Sequence, residues 1–252
     1  GGSRQTFMVG NVVALACREA RKRLVEVMAG VWDVDGELIH TGNGEVWAEG
    51  TNHRISIAEA VDNAKKRGVV PVGSANFGIA PSARLDPVDG SGRPWQSYVF
   101  GCQVAEVEVD TVTGEVQVLG IWAAHDVGRA VNPQGVEGQI EGGIVQALGQ
   151  GLMEDYKLES GRTSTSGFAR YILPTSLDVP QVNSIIVEDP DPTGPLGVKG
   201  VGELSLVPTI PAIMNAIYDA VGVRITDLPA TPEKVLMAIR DKERQGGCVS
   251  KT

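Results

Sequence analysis

Gly194-Pro195-Leu196-Gly197-Val198-Lys199-Gly200-Val201-Gly202-Glu203 crowds glycines up to one carboxylate, just before a helix-forming stretch that begins at Leu204. Three glycines stand among the seven residues that precede the acid. They allow backbone dihedrals and close approaches that a side chain would forbid, so the pattern reads as a loop against which something presses. A carboxylate placed so and kept from water can act as a general base. The plainer reading is that a Glu near a helix start meets unpaired amides and the positive end of the helix dipole. The loop alone leaves both open.

Outward from the loop, Leu204 to Val221 reads as a helix with Pro208 and Pro211 near its start, where proline is best tolerated. Thr231-Pro232-Glu233 caps a last helix through Ile239, and the polar tail from Asp241 is expected to fray. Upstream, a strand at Val182–Val187 runs into the turn Asp189-Pro190-Asp191-Pro192. Farther back, Asn132-Pro133 opens a helix to about Tyr156 although Gly135, Gly138, Gly142, Gly143, Gly149 and Gly151 lie within it. Each glycine costs up to about 1 kcal/mol relative to Ala, which points to a backbone or a ligand packed on that helix.

From Tyr98 the pattern has period two. Gln103, Ala105, Val107 and Val109 alternate with Val104, Glu106 and Glu108, and Asp110-Thr111-Val112-Thr113-Gly114 turns into a partner strand over Val116–Ala123. Cys102, Val104, Val118 and Trp122 are apolar too, so part of this antiparallel hairpin is expected to be covered on both faces. Nearer the start, the segment from about Val9 to Ala29 carries Val9, Val12, Val13, Leu15, Ala16, Ala20, Leu24, Val27 and Met28 close to a helical period. Short strands are expected around Val31–Val34, Glu37–His40 and Gly44–Ala48, with Asp35-Gly36 as the turn. Ser56 caps a second helix to about Lys66, closed by Arg67-Gly68, and residues 68–95 read as a long loop.

The chain has 252 residues, 42% of them hydrophobic, which is enough for a substantial core in one large domain or two smaller ones. Its net charge is -9 and no run of Lys and Arg is longer than the trio Lys65-Lys66-Arg67, a balance that argues against a nucleic-acid partner. Neither a membrane span nor a signal segment is evident, and the acidic surface suits a cytoplasmic protein. The first residue is Gly rather than Met, so a leader or a longer N-terminal region is expected ahead of it. Cys17, Cys102 and Cys248, like His40, His53 and His125, are scattered without ligand spacing, and any metal must arrive with its own ligands.

Three segments resemble the C-terminal part of the molybdenum-binding subunit of the xanthine dehydrogenase and aldehyde oxidoreductase family. They are His125-Asp126-Val127-Gly128-Arg129 with Asn132-Pro133, Gly138-Gln139-Ile140-Glu141-Gly142-Gly143 with Gln146, and the run Gly197 to Glu203. The opening Gly2-Ser3-Arg4-Gln5-Thr6-Phe7 is similar to a further family segment, so the resemblance covers nearly the whole chain in order and spacing. It implies an α+β fold of two mixed lobes, residues 1–95 and 96–252, the second carrying the Glu203 loop. It also implies that Glu203 is the active-site base that deprotonates a molybdenum-bound hydroxyl, as the oxygen attacks an electron-poor carbon of an N-heterocycle or an aldehyde. By the same resemblance Gln139 contacts the pterin of the cofactor, and Gly2, Ser3, Arg4 and Gln5 form a loop that hydrogen-bonds it. Burial is expected to raise the Glu203 pKa toward neutrality.

Apart from the resemblance, Gln139 reads as an ordinary polar helix residue and Ser3 and Gln5 as a tail. Asp126 is read as the brace of its turn and Asn132 as a helix cap. Lys199 either meets an anionic ligand or is solvated.

Typical molybdenum subunits of this family are several times longer. The resemblance therefore implies one of two chains that jointly form the molybdenum site, as in nicotinate dehydrogenase, or a fragment. Expected partners are a larger molybdopterin subunit, a 2Fe-2S subunit and an FAD subunit, with molybdenum-molybdopterin, its dinucleotide form included, shared between chains. Two rivals stand: a reductive or CO-oxidising relative, such as 4-hydroxybenzoyl-CoA reductase or carbon monoxide dehydrogenase, and a noncatalytic structural or assembly protein of the same fold.

Overall fold

The computed structural model describes residues 2–78, 85–92, 94, 95 and 97–247, so Cys248 lies outside the described residues. The chain divides into two compact units, Thr6–Pro94 on the one hand and Gly1–Gln5 together with Trp95–Thr252 on the other.

In the Thr6–Pro94 unit, helix α1 (Ser3–Trp32, its first three residues belonging to the other unit) is followed by strands β1 (Ile39–Gly42), β2 (Glu45–Ala48) and β3 (Arg54–Ser56) and helix α2 (Ile57–Lys66). The strands form one antiparallel sheet in that order. Its first hairpin turns at Asn43-Gly44, both left-handed at φ 50° and 80°, a geometry that matches the twist of the flanking strands. Asp35-Gly36, expected to turn between strands at 31–34 and 37–40, instead starts a 3-10 turn in which the Asp35 carboxylate accepts from the Glu37 amide at 2.9 Å. The strand expected at 31–34 is displaced because α1 keeps its apolar period through Trp32.

Helix α2 starts where Ser56 placed it. Ser56 and Glu59 each accept the other's backbone amide, at 3.2 and 2.9 Å, so two otherwise free donors are satisfied. Pairs four apart, Leu24 with Met28 and Ala60 with Ala64, face Ile39, Val46 and Ala48 to make this unit's core. The described residues from Gly68 to Pro94 contain no helix or strand. Part of this segment lies on α1, where a Cβ at Gly73 would stand 1.8 Å from the Ala16 carbonyl oxygen.

The other unit is built on β4 (Gly101–Val109), β5 (Val116–Asp126) and β8 (Gln181–Val187), in the order β4-β5-β8. β4 and β5 pair antiparallel, whereas β8 runs parallel to β5 and so needs a long connection. That connection contains helix α3 (Pro133–Leu152) and a short ladder of β6 (Leu158–Glu159) and β7 (Arg162–Thr163), which the sequence pattern had not suggested. Helices α4 (Leu206–Val221) and α5 (Pro232–Gly247) complete an α+β architecture. α5 continues beyond Ile239, where fraying was expected: Lys242 donates to the Val221 carbonyl at 2.9 Å and ties the extension down.

One face of the sheet presents Val118, Ile121 and Ala123 to Ile140, Ile144 and Leu148 of α3 and to Ile213 and Ile217 of α4. On the other face Cys102, Val104, Trp122, Ile185 and Val187 are exposed. The expectation of a doubly covered hairpin is corrected accordingly: Val118 turns into the core, while Cys102, Val104 and Trp122 share a face that the described residues leave open.

Candidate functional site

The site begins where β5 ends. Gly128 has φ +68° and Gly197 φ +84°, and a Cβ on Gly128 would stand 2.3 Å from the Gly197 carbonyl oxygen. Two turns therefore lie backbone to backbone, a contact only glycine permits. The Arg129 amide donates to the Gly197 carbonyl at 3.0 Å, and the Lys199 amide to the Val127 carbonyl at 2.9 Å. A Cβ on Gly200 would likewise fall 2.3 Å from the Ser3 carbonyl oxygen. What presses on the glycine loop, in this chain, is the chain's own backbone.

Lys199 is 7% exposed, and its ammonium pairs with Asp126 (5% exposed) and, at 3.3 Å, with Asp189. Burial works against its charge, yet the hydrogen bonds and charges of the two carboxylates outweigh it and hold the ammonium pKa above the usual lysine value. The reading of Lys199 as solvated is thereby overturned. Asp126 braces its turn through its second oxygen, which accepts from the Gly128 amide at 2.9 Å.

A second polar anchor lies just past Glu203. Buried Ser205 donates from its hydroxyl to the Gln139 carbonyl at 3.2 Å, and its own carbonyl accepts from Gln103 Nε2 at 2.9 Å and from the Thr209 hydroxyl at 2.7 Å. Gln103 Nε2 also lies 2.9 Å from His125 Nε2. Because this nitrogen can only donate, His125 Nε2 accepts and its proton resides on Nδ1, which has no partner among the described residues. Burial depresses the His125 pKa and keeps the ring neutral. Sequence reading missed Gln103 and Thr209, though both left a trace: Gln103 shares the strand phase of Ala105, Val107 and Val109, and Thr209 precedes Ile213 and Ile217 on the buried stripe of α4.

Between these anchors Glu203 is exposed. The Ser3 amide donates to Glu203 Oε2 at 3.3 Å, and the Glu203 amide donates to Ser3 Oγ at 3.2 Å. A Cβ on Gly202 would stand 3.4 Å from Gly2 and from Ser3 N, and 3.7 Å from Gln139 Oε1. Gly2, Ser3, Gln139 and Glu203 thus meet in one corner, and Arg4 and Gln5 follow, exposed, in the first turn of α1. That turn corrects the expected loop: residues from Ser3 onward are helical, and Glu203 satisfies one of the amides a helix start leaves free. Its hydrogen bonds with Ser3 hold the Glu203 carboxyl below its ordinary value, so the expected rise by burial is not found in this chain.

The α3 glycines divide. Gly143, Gly149 and Gly151 admit Ser205, Glu154 and Ile210, whereas Gly138 and Gly142 have open space where a Cβ would stand. An open backbone strip beside an amide side chain and a helix start suits a flat ring with an amide-like edge, and a pterin is such a ring. No three His, Cys, Asp or Glu side chains among the described residues are grouped to hold a metal ion. A cavity of about 430 Å³ is lined by Leu148, Leu152 and Met153 at the far end of α3, and none of the candidate residues lines it.

Residues 1–180 match the family model described as molybdopterin cofactor-binding domain, a range that includes Gln139 and ends before Glu203. The aldehyde oxidoreductase of Megalodesulfovibrio gigas is 35% identical over 243 residues, 95% of this chain and 23% of that protein. The nicotine 6-hydroxylase large subunit of Paenarthrobacter nicotinovorans is 34% identical over 249 residues, 95% of this chain and 29% of its own length. The crystal structure of quinoline 2-oxidoreductase from Pseudomonas putida 86 superposes with a TM-score of 0.79 at 29% identity, over 95% of this chain and 30% of that one. The chain thus spans under a third of each relative's length. With most of its residues inside the family model and its fold inside structures of this kind, it belongs to the molybdopterin cofactor-binding domain family, as part of a molybdopterin-binding subunit of the xanthine dehydrogenase and aldehyde oxidoreductase type.

Proposed function

We propose that this chain supplies Glu203 as the catalytic base, and one wall of the cofactor site, to an oxidoreductase that transfers a water-derived oxygen to an electron-poor carbon of an N-heterocycle or an aldehyde. When bound, the molybdenum cofactor supplies the two-electron oxidation. The observation that carries the reading is the reciprocal bonding of Ser3 and Glu203 beside Gln139. The substrate class is supported by relatives whose names refer to an aldehyde, nicotine and quinoline.

In this reading the Gln139 amide and the backbone and side chains of Gly2, Ser3, Arg4 and Gln5 hold the pterin by hydrogen bonds. Glu203, ionised by its contacts with Ser3, takes onto its free carboxylate oxygen the proton that must leave as oxygen attacks carbon. Covering this corner with cofactor and further polypeptide removes water and strengthens the base. Lys199 serves the fold and not the ligand, since both its contacts are carboxylates of this chain.

The same reading assigns the rest of the assembly. A larger molybdopterin-binding region completes the pocket, and we place its contact on the open sheet face around Val104, Trp122 and Ile185. With three scattered cysteines, this chain leaves the iron–sulfur clusters to another subunit and FAD to a third. Among the described residues no helix is long and apolar enough to cross a membrane, and we assign the complex to the cytoplasm.

The test is copurification with accompanying chains, metal analysis, and a Glu203→Gln exchange assayed with quinoline, nicotine and benzaldehyde and a dye acceptor. Molybdenum retained with turnover reduced by several orders of magnitude is the expected result. Near-normal turnover of the variant, or a complex without molybdenum, overturns the reading.

A further inference from the structure

We infer that Lys199 is the positioning residue of this site: clamped to Asp126 at the end of β5, it fixes the loop that presents Glu203 to the first turn of α1. The inference rests on the reading of Glu203 given above. The contacts that Glu203 itself makes cannot hold it. Both bonds to Ser3 are longer than 3.1 Å and exposed, and hydrogen bonds of that kind, open to water, contribute little.

Lys199 is different in kind. It lies four residues before Glu203, is nearly excluded from water, and is fastened twice, by its amide to the Val127 carbonyl and by its ammonium to Asp126. Asp126 is in turn fixed by the Gly128 amide, and the Gly197 carbonyl accepts from both the Arg129 and Asp191 amides. A buried ion leaves its partner only at large cost, so loop and strand end move as one body. The two glycines at 200 and 202 then carry the chain past Ser3 and Gly2 without side chains in the way. Two residues past Glu203, Ser205 begins a separate anchor.

The decisive variant neutralises both members of the clamp, Asp126→Asn with Lys199→Met, so that neither is left as a buried ion facing a missing partner. In the protein purified with its accompanying chains, hydrogen exchange at the Glu203 amide is expected to quicken at least tenfold while peptides of α5 keep their protection. Turnover is expected to fall at least tenfold with KM within a factor of two, the mark of a displaced base. Unchanged exchange at Glu203 in the folded variant overturns the inference. So does equal loosening by Lys234→Met, which breaks only the outlying pair with Asp227.

If the neutral pair does not fold, Lys199→Arg decides, because a planar guanidinium does not fit an ammonium's buried geometry. Exchange at Glu203 is then expected to quicken about threefold, and wild-type protection overturns the claim. The exchange measurement involves no molybdenum chemistry, so it fails or succeeds independently of the Glu203→Gln assay.

Discussion

In the Thr6–Pro94 unit every fully buried side chain among the described residues is apolar, whereas the unit with Trp95–Thr252 also buries His125, Asp126, Asp191, Lys199, Ser205 and Thr209. Apolar burial is tolerant: hydrocarbon of suitable volume on the right period suffices. Polar burial is demanding, because each group needs its partner at a set distance or the desolvation goes uncompensated. The difference teaches where geometry is under tight control. Five of the six buried polar residues lie on either side of Glu203, in the pair Asp126–Lys199 and the network of His125, Ser205 and Thr209.

Three measurements can break or sharpen this contrast. The largest effect is expected from Asp126→Ala, which leaves the buried ammonium only the more distant, exposed Asp189 carboxylate; a loss of about 3 kcal/mol in denaturant unfolding of the Trp95–Thr252 unit is expected. A loss below about 1 kcal/mol would place that pair with ordinary surface bridges.

The next concerns acid. Burial lowers the His125 pKa from its ordinary 6.5, so below about that pH the unfolded chain binds this proton before the folded one does. Stability of the unit is therefore full above about pH 6.5 and declines as pH falls, and His125→Asn should flatten that segment of the profile. Hydrogen exchange of α3 peptides across pH is the measurement, and a flat wild-type profile would break the contrast. The smallest effect belongs to the apolar unit, where Ser56→Ala removes the cap of α2 and costs about 1 kcal/mol, confined to exchange in α2.

Local signals were legible in the sequence. Ser56 with Glu59, Asn132 before Pro133, and the hairpin from Tyr98 onward each carry their instruction within a few residues, and the structure follows them. Asn43-Gly44 carried one too, but Asp35-Gly36 offered the same kind of dipeptide eight residues earlier, and only the length of α1 separates the two. The buried state of Lys199 could not be read, because its partner Asp126 lies 73 residues away. Residues from Asp241 look like a solvated tail until Val221 is known to lie within reach of Lys242. For the corner itself, the family motifs pointed to Gln139, Ser3 and Glu203, yet nothing local relates Ser3 to an acid 200 positions later.

That separation has a consequence in time. A ribosome adds roughly 5–20 residues per second, so Ser3 leaves it about 10–40 s before Glu203 does. Until then the first turn of α1 lacks its acid and the glycine loop does not exist. This corner can close only once Glu203 has been made, and whatever machinery loads the cofactor must act on a chain that already extends past it.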